Sequence, residues 1–491
     1  MTEIPASPSD DPASPPGGCE ATSWSRERVE QTAARTCDPA KVEAALEAGR
    51  ASDARALRDL LHKAGLKRGL SPAEAAVLLQ TEDPGLREET IAVARRVQSD
   101  SYRGRVALSA PICPNNRCVN DCLYCPLRRT NLRLKRRSAR SLEAQREVLA
   151  LLDEGYRHLT LVLGDDRSGV HYVRDTISAI YGVRSGFRQI ERVDLNADPM
   201  PEADLAELQR TARVGTYYVF QETYHPETYA RLHRDGPKAD YAWRLTCHDR
   251  ACEAGFEEVG LGVLLGAHDY RFDVVALLMH AQHLTQTYRR APQAVAYPRM
   301  IPVPGVPEDV FGVVSDDELC FIVAVTRLAL PCVDLVMCTP APTEVRRELY
   351  GLGISQVSVG SLSYPGVYTS DGDPSAAGGL AIGRPRALEV LVYRLCDAGF
   401  LPSLCASCDS AKAAAAAPAD ERDPALCLQY RSSANALVAL REYLLDHASP
   451  DTQAVAGKLI QAQLSLLPED MRRLAVELME EVEVGLRRQR L

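Results

Sequence analysis

The stretch Arg117-Cys118-Val119-Asn120-Asp121-Cys122-Leu123-Tyr124-Cys125-Pro126-Leu127-Arg128 sets three cysteines in the spacing Cys-x3-Cys-x2-Cys. Thiolates this close can wrap a short loop around one metal group, and their softness suits iron–sulfur or zinc. A structural zinc wants a fourth ligand at comparable spacing, and none stands nearby. An iron–sulfur cube with three protein ligands leaves one iron open for a small molecule. The bland alternative is three buried thiols, because free cysteine is a common small core residue.

Working outward, the stretch follows Val106-Ala-Leu-Ser, the first of eight short β-branched or apolar runs. The others are Leu159-Thr-Leu-Val-Leu, Arg192-Val-Asp-Leu, Gly215-Thr-Tyr-Tyr-Val-Phe, Glu258-Val-Gly-Leu-Gly, Ala294-Val-Ala-Tyr, Val333-Asp-Leu-Val-Met and Gln356-Val-Ser-Val. Longer amphipathic stretches separate them, an α/β alternation whose count suits a (β/α)8 barrel with its site at the C-terminal ends of the strands. A doubly wound sheet shows the same alternation, although no glycine-rich phosphate fingerprint follows the first strand. The chain divides into a disordered Ser/Pro/Asp/Gly-rich tail (1–23), a helical extension (24–100), the barrel (101–368) and a C-terminal helical region (369–491). In the extension, Ser71-Pro72-Ala73-Glu74 carries a capping-box signature. The C-terminal region opens on a Gly/Pro-containing loop (369–386) and contains an Ala-rich stretch (411–420). The last helix, starting at Pro468, is expected to bury a stripe of Met471, Leu474, Leu478, Val482 and Leu486.

Composition bounds the function. With 491 residues, 46% hydrophobic and 25% charged, the chain has ample material for a large core. Its net charge of −9 argues against a general nucleic-acid surface. No apolar run reaches the ~18 residues of a membrane span, and the N-terminus lacks the pattern of a signal peptide. A soluble cytoplasmic chain is expected. Fifteen cysteines in a chain without an export signal do not read as a disulfide framework. Cys19, Cys37, Cys113, Cys247, Cys252, Cys320, Cys332 and Cys396 have no ligand spacing and are read as structural.

The Cys118–Cys122–Cys125 spacing, with Tyr124 before the third cysteine, resembles that of the radical S-adenosylmethionine (SAM) enzymes. The resemblance implies that these cysteines hold a 4Fe–4S cluster, that SAM chelates the open iron, and that Tyr124 lies near the adenine. Reductive cleavage of SAM would then give a 5′-deoxyadenosyl radical, chemistry that belongs to the cofactor while the barrel shields it. Further stretches resemble the tyrosine lyases within that superfamily. They are Phe220-Gln-Glu-Thr-Tyr224-His225, Gly236-Pro-Lys238-x-Asp240-Tyr241, Asp249-Arg250-Ala, Ala254-Gly, Val259-Gly-Leu-Gly262-Val-Leu, Ile354-Ser-Gln-Val-Ser358-Val-Gly360-Ser361, Gly366-Val-Tyr368 and Gly399-x-Leu-Pro402-Ser403. That subfamily comprises the FeFe-hydrogenase maturase and the 2-iminoacetate synthase of thiamine biosynthesis. The likeness spans roughly residues 65–450 and is closer to the maturase.

The family's known properties supply further expectations. Its members cleave the Cα–Cβ bond of tyrosine to a p-cresol product and dehydroglycine, which the maturase carries on to CO and cyanide. Cys405-Ala-Ser-Cys408, followed by Cys427, sits where the maturase has an auxiliary iron–sulfur cluster. Four departures stand out. Gly164-Asp165-Asp166 replaces a Gly-Glu whose acid helps hold the SAM amino group, so Asp165 inherits that role on a shorter arm. Pro292-Gln293 replaces a Pro-His whose imidazole anchors an extra iron, and an amide is a poor substitute. Pro298-Arg299-Met-Ile-Pro302 keeps one of two arginines. Cys338-Thr339-Pro340-Ala341 replaces a Ser-Thr-Arg-Glu whose arginine is placed for the substrate carboxylate. Arg299 is therefore expected to take over that carboxylate, with Ser358 and Ser361 as hydroxyl donors, and Glu222 joins the candidate catalytic residues at a strand end.

Three functions follow. The first is a tyrosine-type carbon–carbon lyase, the second a 2-iminoacetate synthase, the third a non-catalytic iron–sulfur carrier or assembly protein. Expected partners are a small amino-acid substrate, an electron donor such as flavodoxin or ferredoxin, and cofactor-maturation proteins, with neither nucleic acid nor membrane. Seven basic residues in 128–140 (Arg128, Arg129, Arg133, Lys135, Arg136, Arg137, Arg140) lack interleaved aromatics and read as a solvated face. His280 and His283 lack a third ligand and read as packed or surface histidines.

Overall fold

Each of the eight expected runs forms a strand in the computed structural model, which describes residues 24–166, 168–302, 306–307, 310, 312–358, 361–362, 364–369, 381–382, 388–405, 427–488 and 490. They are β1 (Arg105–Asn115), β2 (His158–Leu163), β3 (Arg192–Asn196), β4 (Tyr217–Tyr218), β5 (Val259–Gly262), β6 (Ala294–Ala296), β7 (Asp334–Met337) and β8 (Ile354–Ser358). Neighbours pair in chain order, all parallel, and β8 returns to β1 through Ala107–Gln356, Leu108–Val357 and Ser109–Ser358. That last pairing closes the sheet. The fold is a (β/α)8 barrel, and the doubly wound alternative falls.

The outer layer follows from amphipathic helices between the strands, which cover the outer face of the closed sheet while strand side chains fill its interior. Five helices precede β1: α1 (Arg26–Thr36), α2 (Pro39–Arg50), α3 (Ala54–Gly65), α4 (Pro72–Leu79) and α5 (Pro84–Tyr102). α4 starts on the expected capping box, with the Ser71 hydroxyl accepting from Glu74 N and the Glu74 carboxylate accepting from Ser71 N. The strand connections are α6 (Ser141–Glu154), α7 (Gly169–Gly182), α8 (Glu202–Thr211), α9 (Pro226–Leu232), α10 (Tyr241–Leu245), α11 (Cys247–Glu253), α12 (Tyr270–Tyr288), α13 (Asp316–Ala329) and α14 (Thr343–Leu352). Beyond β8 come a two-stranded antiparallel pair, β9 (Ser361–Leu362) with β10 (Ala381–Ile382), then α15 (Leu388–Asp397) and β11 (Leu401–Ser403). β11 pairs in parallel with Arg105–Ala107 at the start of β1, so the C-terminal region contributes a strand to the barrel's sheet.

Three helices close the chain: Ser432–Asp446, Pro450–Leu464 and Glu469–Glu483. The last one corrects an expectation. Its buried residues are Ala475, Met479 and Val482, whereas Leu474 and Leu486 are exposed. Val482 is buried as expected and Met471 and Leu478 are partly buried against the core, so the docked face keeps three of the five expected positions, with Ala475 and Met479 added and Leu474 and Leu486 lost. The tail (1–23), Cys19, Gly360, Cys408 and the Ala-rich stretch lie outside the described residues, as do the side chains of Ser361 and Cys427. Among the described residues, no helix is long and apolar enough to cross a membrane.

The end of the barrel where strands begin is sealed by charge. His158 Nε2 lies 2.7 Å from Asp194 Oδ2, Arg192 Nε donates to Asp194 Oδ1 at 2.8 Å, and the Arg192 guanidinium also pairs with Glu258. Burial alone would raise the Asp194 pKa, yet Arg192 and His158 outweigh it and hold the carboxyl at about 2. Its stabilising contribution is therefore fully present above its ordinary value of 3.8 and is lost as pH falls through about 2. Asp194→Ala removes the buried acceptor shared by Arg192 and His158, leaving Arg192 with Glu258 alone, and is expected to cost about 3–5 kcal/mol. Urea unfolding at neutral pH measures this, and a loss below about 1 kcal/mol, the worth of a surface pair, would count against the sealing role.

Candidate cofactor site at the C-terminal mouth of the barrel

β1 ends at Asn115, and the loop carrying the three cysteines lies over the C-terminal ends of the strands. Its backbone is tied down along its length. Val119 N donates to Asp165 O (2.7 Å), Asp121 N to Asp235 O (2.9 Å), and Leu123 N to Leu232 O (2.9 Å). Cys122 bridges His233, and Cys125 N closes a turn on Cys122 O at 3.0 Å. Glycines permit two close approaches. A Cβ on Gly164, after β2, would stand 2.2 Å from Arg117 O, and one on Gly236 would stand 2.5 Å from Asn120 Oδ1. Gly236 also needs its φ of +97°, which side chains disfavour.

The thiols are sheltered. Cys122 is buried, while Cys118 and Cys125 are partly buried under Leu127 and Leu134. Burial raises all three pKa values, to about 11 for Cys122 and about 12 for Cys125, so binding a metal group must displace their protons. Among the described residues, no three Cys, His, Asp or Glu side chains converge as ligands of a single ion. Three soft thiolate donors on one loop fit an iron–sulfur cube, which takes cysteines at its corners.

Beside this loop lies a charged network that composition could not reveal. Asn120 Nδ2 faces Asp165 Oδ2 (3.2 Å), Asp198 Oδ2 (3.1 Å) and Cys118 Sγ (3.7 Å), and its Oδ1 accepts from Lys238 N (2.8 Å). Arg244 donates to Asp198 Oδ1 at 2.7 Å and to Phe220 O at 2.7 Å. Lys238 Nζ meets Glu222 Oε1 at 2.6 Å. Burial disfavours the Lys238 charge, and Arg244 opposes it too, but Glu222, Cys122 and Asp198 hold its pKa above the ordinary lysine value. Asp165, Asp198, Lys238 and Arg244 line a cavity of ≈ 280 Å³ that also takes in Gly164 and Trp243. A pocket presenting carboxylates and cations together suits a zwitterionic amino acid.

Tyr124 is fixed by a relay. His233 Nδ1 lies 2.8 Å from Tyr229 O, which only accepts, so Nδ1 carries the proton. Burial, with Lys238 nearby, lowers the His233 pKa to about 2, leaving the ring neutral with Nε2 as acceptor. The Tyr124 hydroxyl therefore donates to Nε2, 2.9 Å away. Lys238 Nζ stands 5.6 Å from the centre of the Tyr124 ring.

The other candidates are distributed as follows. Glu222 is buried four residues after β4, bridging Val263 beyond β5, with φ +70° and its carboxylate engaged by Lys238. Arg299 follows β6, but its guanidinium donates to Asp316 Oδ1 at 2.6 Å and Val314 O at 3.3 Å. Ser358 ends β8 beside Ser109 of β1. Cys405 follows β11 and is buried. Gln293 precedes β6 at the opposite end of the barrel, where its Nε2 donates to Asp334 Oδ2 (3.3 Å). His280 and His283 are packed against Tyr224 (2.9 Å) and Asp249 (2.7 Å), in line with their bland reading. Asn120, Asp198, His233 and Arg244 were missed. Asn120 alone had a signal, its place between two ligand cysteines.

Between β4 and β7 the barrel interior is apolar. Tyr218, Ala294, Ala296 and Val336 form one buried cluster with Phe220 and Cys338 packed on it. Gly260 and Gly262 make room for the two rings, since their Cβ atoms would stand 2.2 and 2.4 Å from Tyr218 and Phe220.

Under the mouth, the buried Asp273 of α12 accepts from Tyr224 N (2.8 Å) and Thr223 Oγ1 (2.9 Å), holding the turn after Glu222. Burial pushes its pKa up to about 7. A carboxyl whose pKa is raised on folding costs stability as pH rises from its ordinary 3.8 through about 7. Asp273→Asn is expected to flatten stability across that window and to gain relative to wild type above it, as unfolding at a series of pH values would record. Gly164→Ala should force the cysteine loop outward at a cost of about 1–3 kcal/mol and lower the iron bound per chain after reconstitution. Full iron loading in that variant would refute the close-approach argument.

Comparisons with known proteins agree with this geometry. The profile of the Radical SAM superfamily matches residues 112–278, and that of the Biotin and Thiamin Synthesis associated domain matches 296–401. The 2-iminoacetate synthase of Escherichia coli is 31% identical over 305 residues, covering 62% of this chain and 78% of that protein. The FeFe-hydrogenase maturase subunit HydE of Thermotoga maritima is 28% identical over 188 residues, 38% of this chain and 51% of its own length. Among solved structures, HydG, a maturase of the FeFe-hydrogenase, superposes with a TM-score of 0.86 at 31% identity, covering 93% of this chain and 100% of that one. HydG from Carboxydothermus hydrogenoformans gives 0.77 at 28%, over 92% and 99%.

Proposed function

The chain belongs to the radical SAM tyrosine-lyase family, which makes it an enzyme acting on a small amino-acid substrate through a 4Fe–4S cluster and SAM, and we propose that it cleaves the Cα–Cβ bond of tyrosine or a closely related aromatic amino acid. The observation that carries this is the junction of two environments at one mouth. The mixed-charge cavity beside the cysteine loop is linked through Arg244, which lines it and donates to Phe220 O, to an apolar barrel interior formed by Tyr218, Phe220, Ala294, Ala296, Val336 and Cys338. The first suits the amino-acid end of SAM, the second an aromatic side chain. When bound, the cluster and SAM supply a 5′-deoxyadenosyl radical, which requires a site that excludes water.

This chain's residues take the following roles in the proposal. Cys118, Cys122 and Cys125 hold the cluster, and Asp165, steadied by Asn120, receives the SAM amino group beside Gly164. Tyr124, oriented by His233, presents its ring to the adenine. Glu222 keeps Lys238 in place across the site. Arg299 binds the substrate carboxylate by exchanging it for Asp316, an equivalent oxygen acceptor already 2.6 Å away, with Ser358 and Ser361 as hydroxyl donors. The products are a p-cresol-type phenol and dehydroglycine. A 2-iminoacetate synthase-like end point is favoured over onward conversion to CO and cyanide, because Gln293 offers an amide already bonded to Asp334 rather than an imidazole. An auxiliary iron–sulfur cluster on Cys405, Cys408 and Cys427 belongs to the same reading, as do a flavodoxin- or ferredoxin-type electron donor, cofactor-maturation partners and a cytoplasmic setting.

Anaerobic reconstitution with iron, sulfide, SAM and dithionite tests the proposal. Tyrosine-dependent 5′-deoxyadenosine together with p-cresol is the expected result, and absence of any 5′-deoxyadenosine would reduce the protein to an iron–sulfur carrier. Arg299→Ala should lower substrate-dependent turnover by about 10²-fold or more, the scale of a lost charged contact to substrate. Unchanged turnover removes Arg299 from the carboxylate. Iron per chain should drop by about half in Cys405→Ser/Cys408→Ser if each site holds one four-iron cluster, and equal iron in both proteins would refute the auxiliary site.

A further inference from the structure

The cysteine loop turns a second face to solvent. Leu127 and Leu134 are buried and pack inward on Cys118 and Cys125. The chain neighbours of Leu134, Arg133 and Lys135, are exposed, and Leu132 is 93% exposed. Hydrogen bonds to the backbone hold this arrangement. Arg136 donates to Leu127 O at 2.9 Å and also to Arg128 O. Asn116 N and Nδ2 donate to Arg137 O (3.2 Å) and Lys135 O (3.0 Å), laying the exposed Arg117 alongside. The leucine pair is thus a thin apolar cover between the thiols and a cationic surface.

The charges on that surface are uncompensated. The nearby carboxylates are committed elsewhere: Glu143 to Arg137 and Arg140 N, Asp235 to Arg129, Asp121 to Thr130 and Arg234. Arg117, Arg133 and Lys135 have no carboxylate partner among the described residues. A local excess of cations on a chain of net charge −9 attracts an acidic partner to that face. A single protruding leucine among cations is too small for a stable complex and suits a brief encounter, the size class of electron-transfer contacts. Nucleic acid fits less well, since residues 128–140 contain no aromatic side chain to stack on bases.

We propose that Leu132, Arg133 and Lys135, with Arg117, form the docking surface for a small acidic electron-transfer protein of the flavodoxin or ferredoxin kind. The inference rests on the reading that Cys118, Cys122 and Cys125 hold a reducible cluster. One electron leaves the donor's reduced centre and crosses the Leu127–Leu134 layer to the cluster. The donor is oxidised by one electron, the cluster is reduced by one, and no atom moves between the proteins.

Binding of a fluorescently labelled oxidised flavodoxin to the full chain tests this directly, with no demand on activity. Arg133→Glu/Lys135→Glu is expected to raise Kd about tenfold at low ionic strength, and wild-type Kd should itself rise with salt. Arg133→Gln/Lys135→Gln, a milder change, should give an intermediate Kd. In turnover, the double Glu variant should lose a similar factor in 5′-deoxyadenosine formation driven by reduced flavodoxin and nothing when driven by dithionite. An unchanged Kd in both variants overturns the docking surface, and so does an equal loss with dithionite. Binding of a single-stranded oligonucleotide at this surface without flavodoxin binding overturns it in favour of nucleic acid. Wild type inactive with dithionite would sink the lyase reading instead, while the binding measurement still decides the docking.

Discussion

One carboxamide joins the parts of this site. Asn120 sits in the cysteine loop, reaches Asp165 after β2 and Asp198 after β3, and accepts from the backbone of Lys238 beyond α9. An amide is suited to the task because it donates and accepts without carrying charge, so it can be buried between two carboxylates and a lysine at little cost. Through it, the loop that holds the thiols, the Asp165 carboxylate and the Lys238–Glu222 pair share one frame. Gly236 exists in that frame for steric reasons, since any side chain would strike Asn120. Removing this anchor would leave each group present but unaligned, and alignment is what a radical reaction needs from its protein.

The barrel separates two kinds of polar interior. At the end where strands begin, Asp194, Arg192, His158 and Glu258 satisfy one another and seal the core. At the mouth, Asp165, Asp198, Lys238 and Arg244 line open space. Both sets are paired internally, Arg244 with Asp198 and Lys238 with Glu222 at the mouth, and what distinguishes them is that the mouth pairs border a cavity. Gln293 belongs to the sealed end, where it donates to Asp334.

Much of the architecture was legible in the chain. The eight strand runs emerged in place because a parallel sheet buried on both faces demands continuous apolar segments, a local property. The capping box at Ser71 was equally local. The stripe of the last helix was legible at Met471, Leu478 and Val482 but not at its edges, since periodicity cannot say whether Leu474 or the neighbouring Ala475 turns inward. The cysteine spacing announced a metal group because three ligands within one loop need no long-range contact to be recognised.

By itself, the sequence determined the strand count, the cysteine loop and the family of chemistry, all of which depend on residues near one another in the chain. Tertiary structure alone decided that the sheet closes, since closure is the pairing of β1 with β8 across some 250 residues. It also decided that Asn120, Asp198, His233 and Arg244 meet at one mouth, that Arg299 is held by Asp316, and that Arg133 and Lys135 stand outside the leucines covering the thiols. These are contacts between distant segments, and no local pattern encodes them.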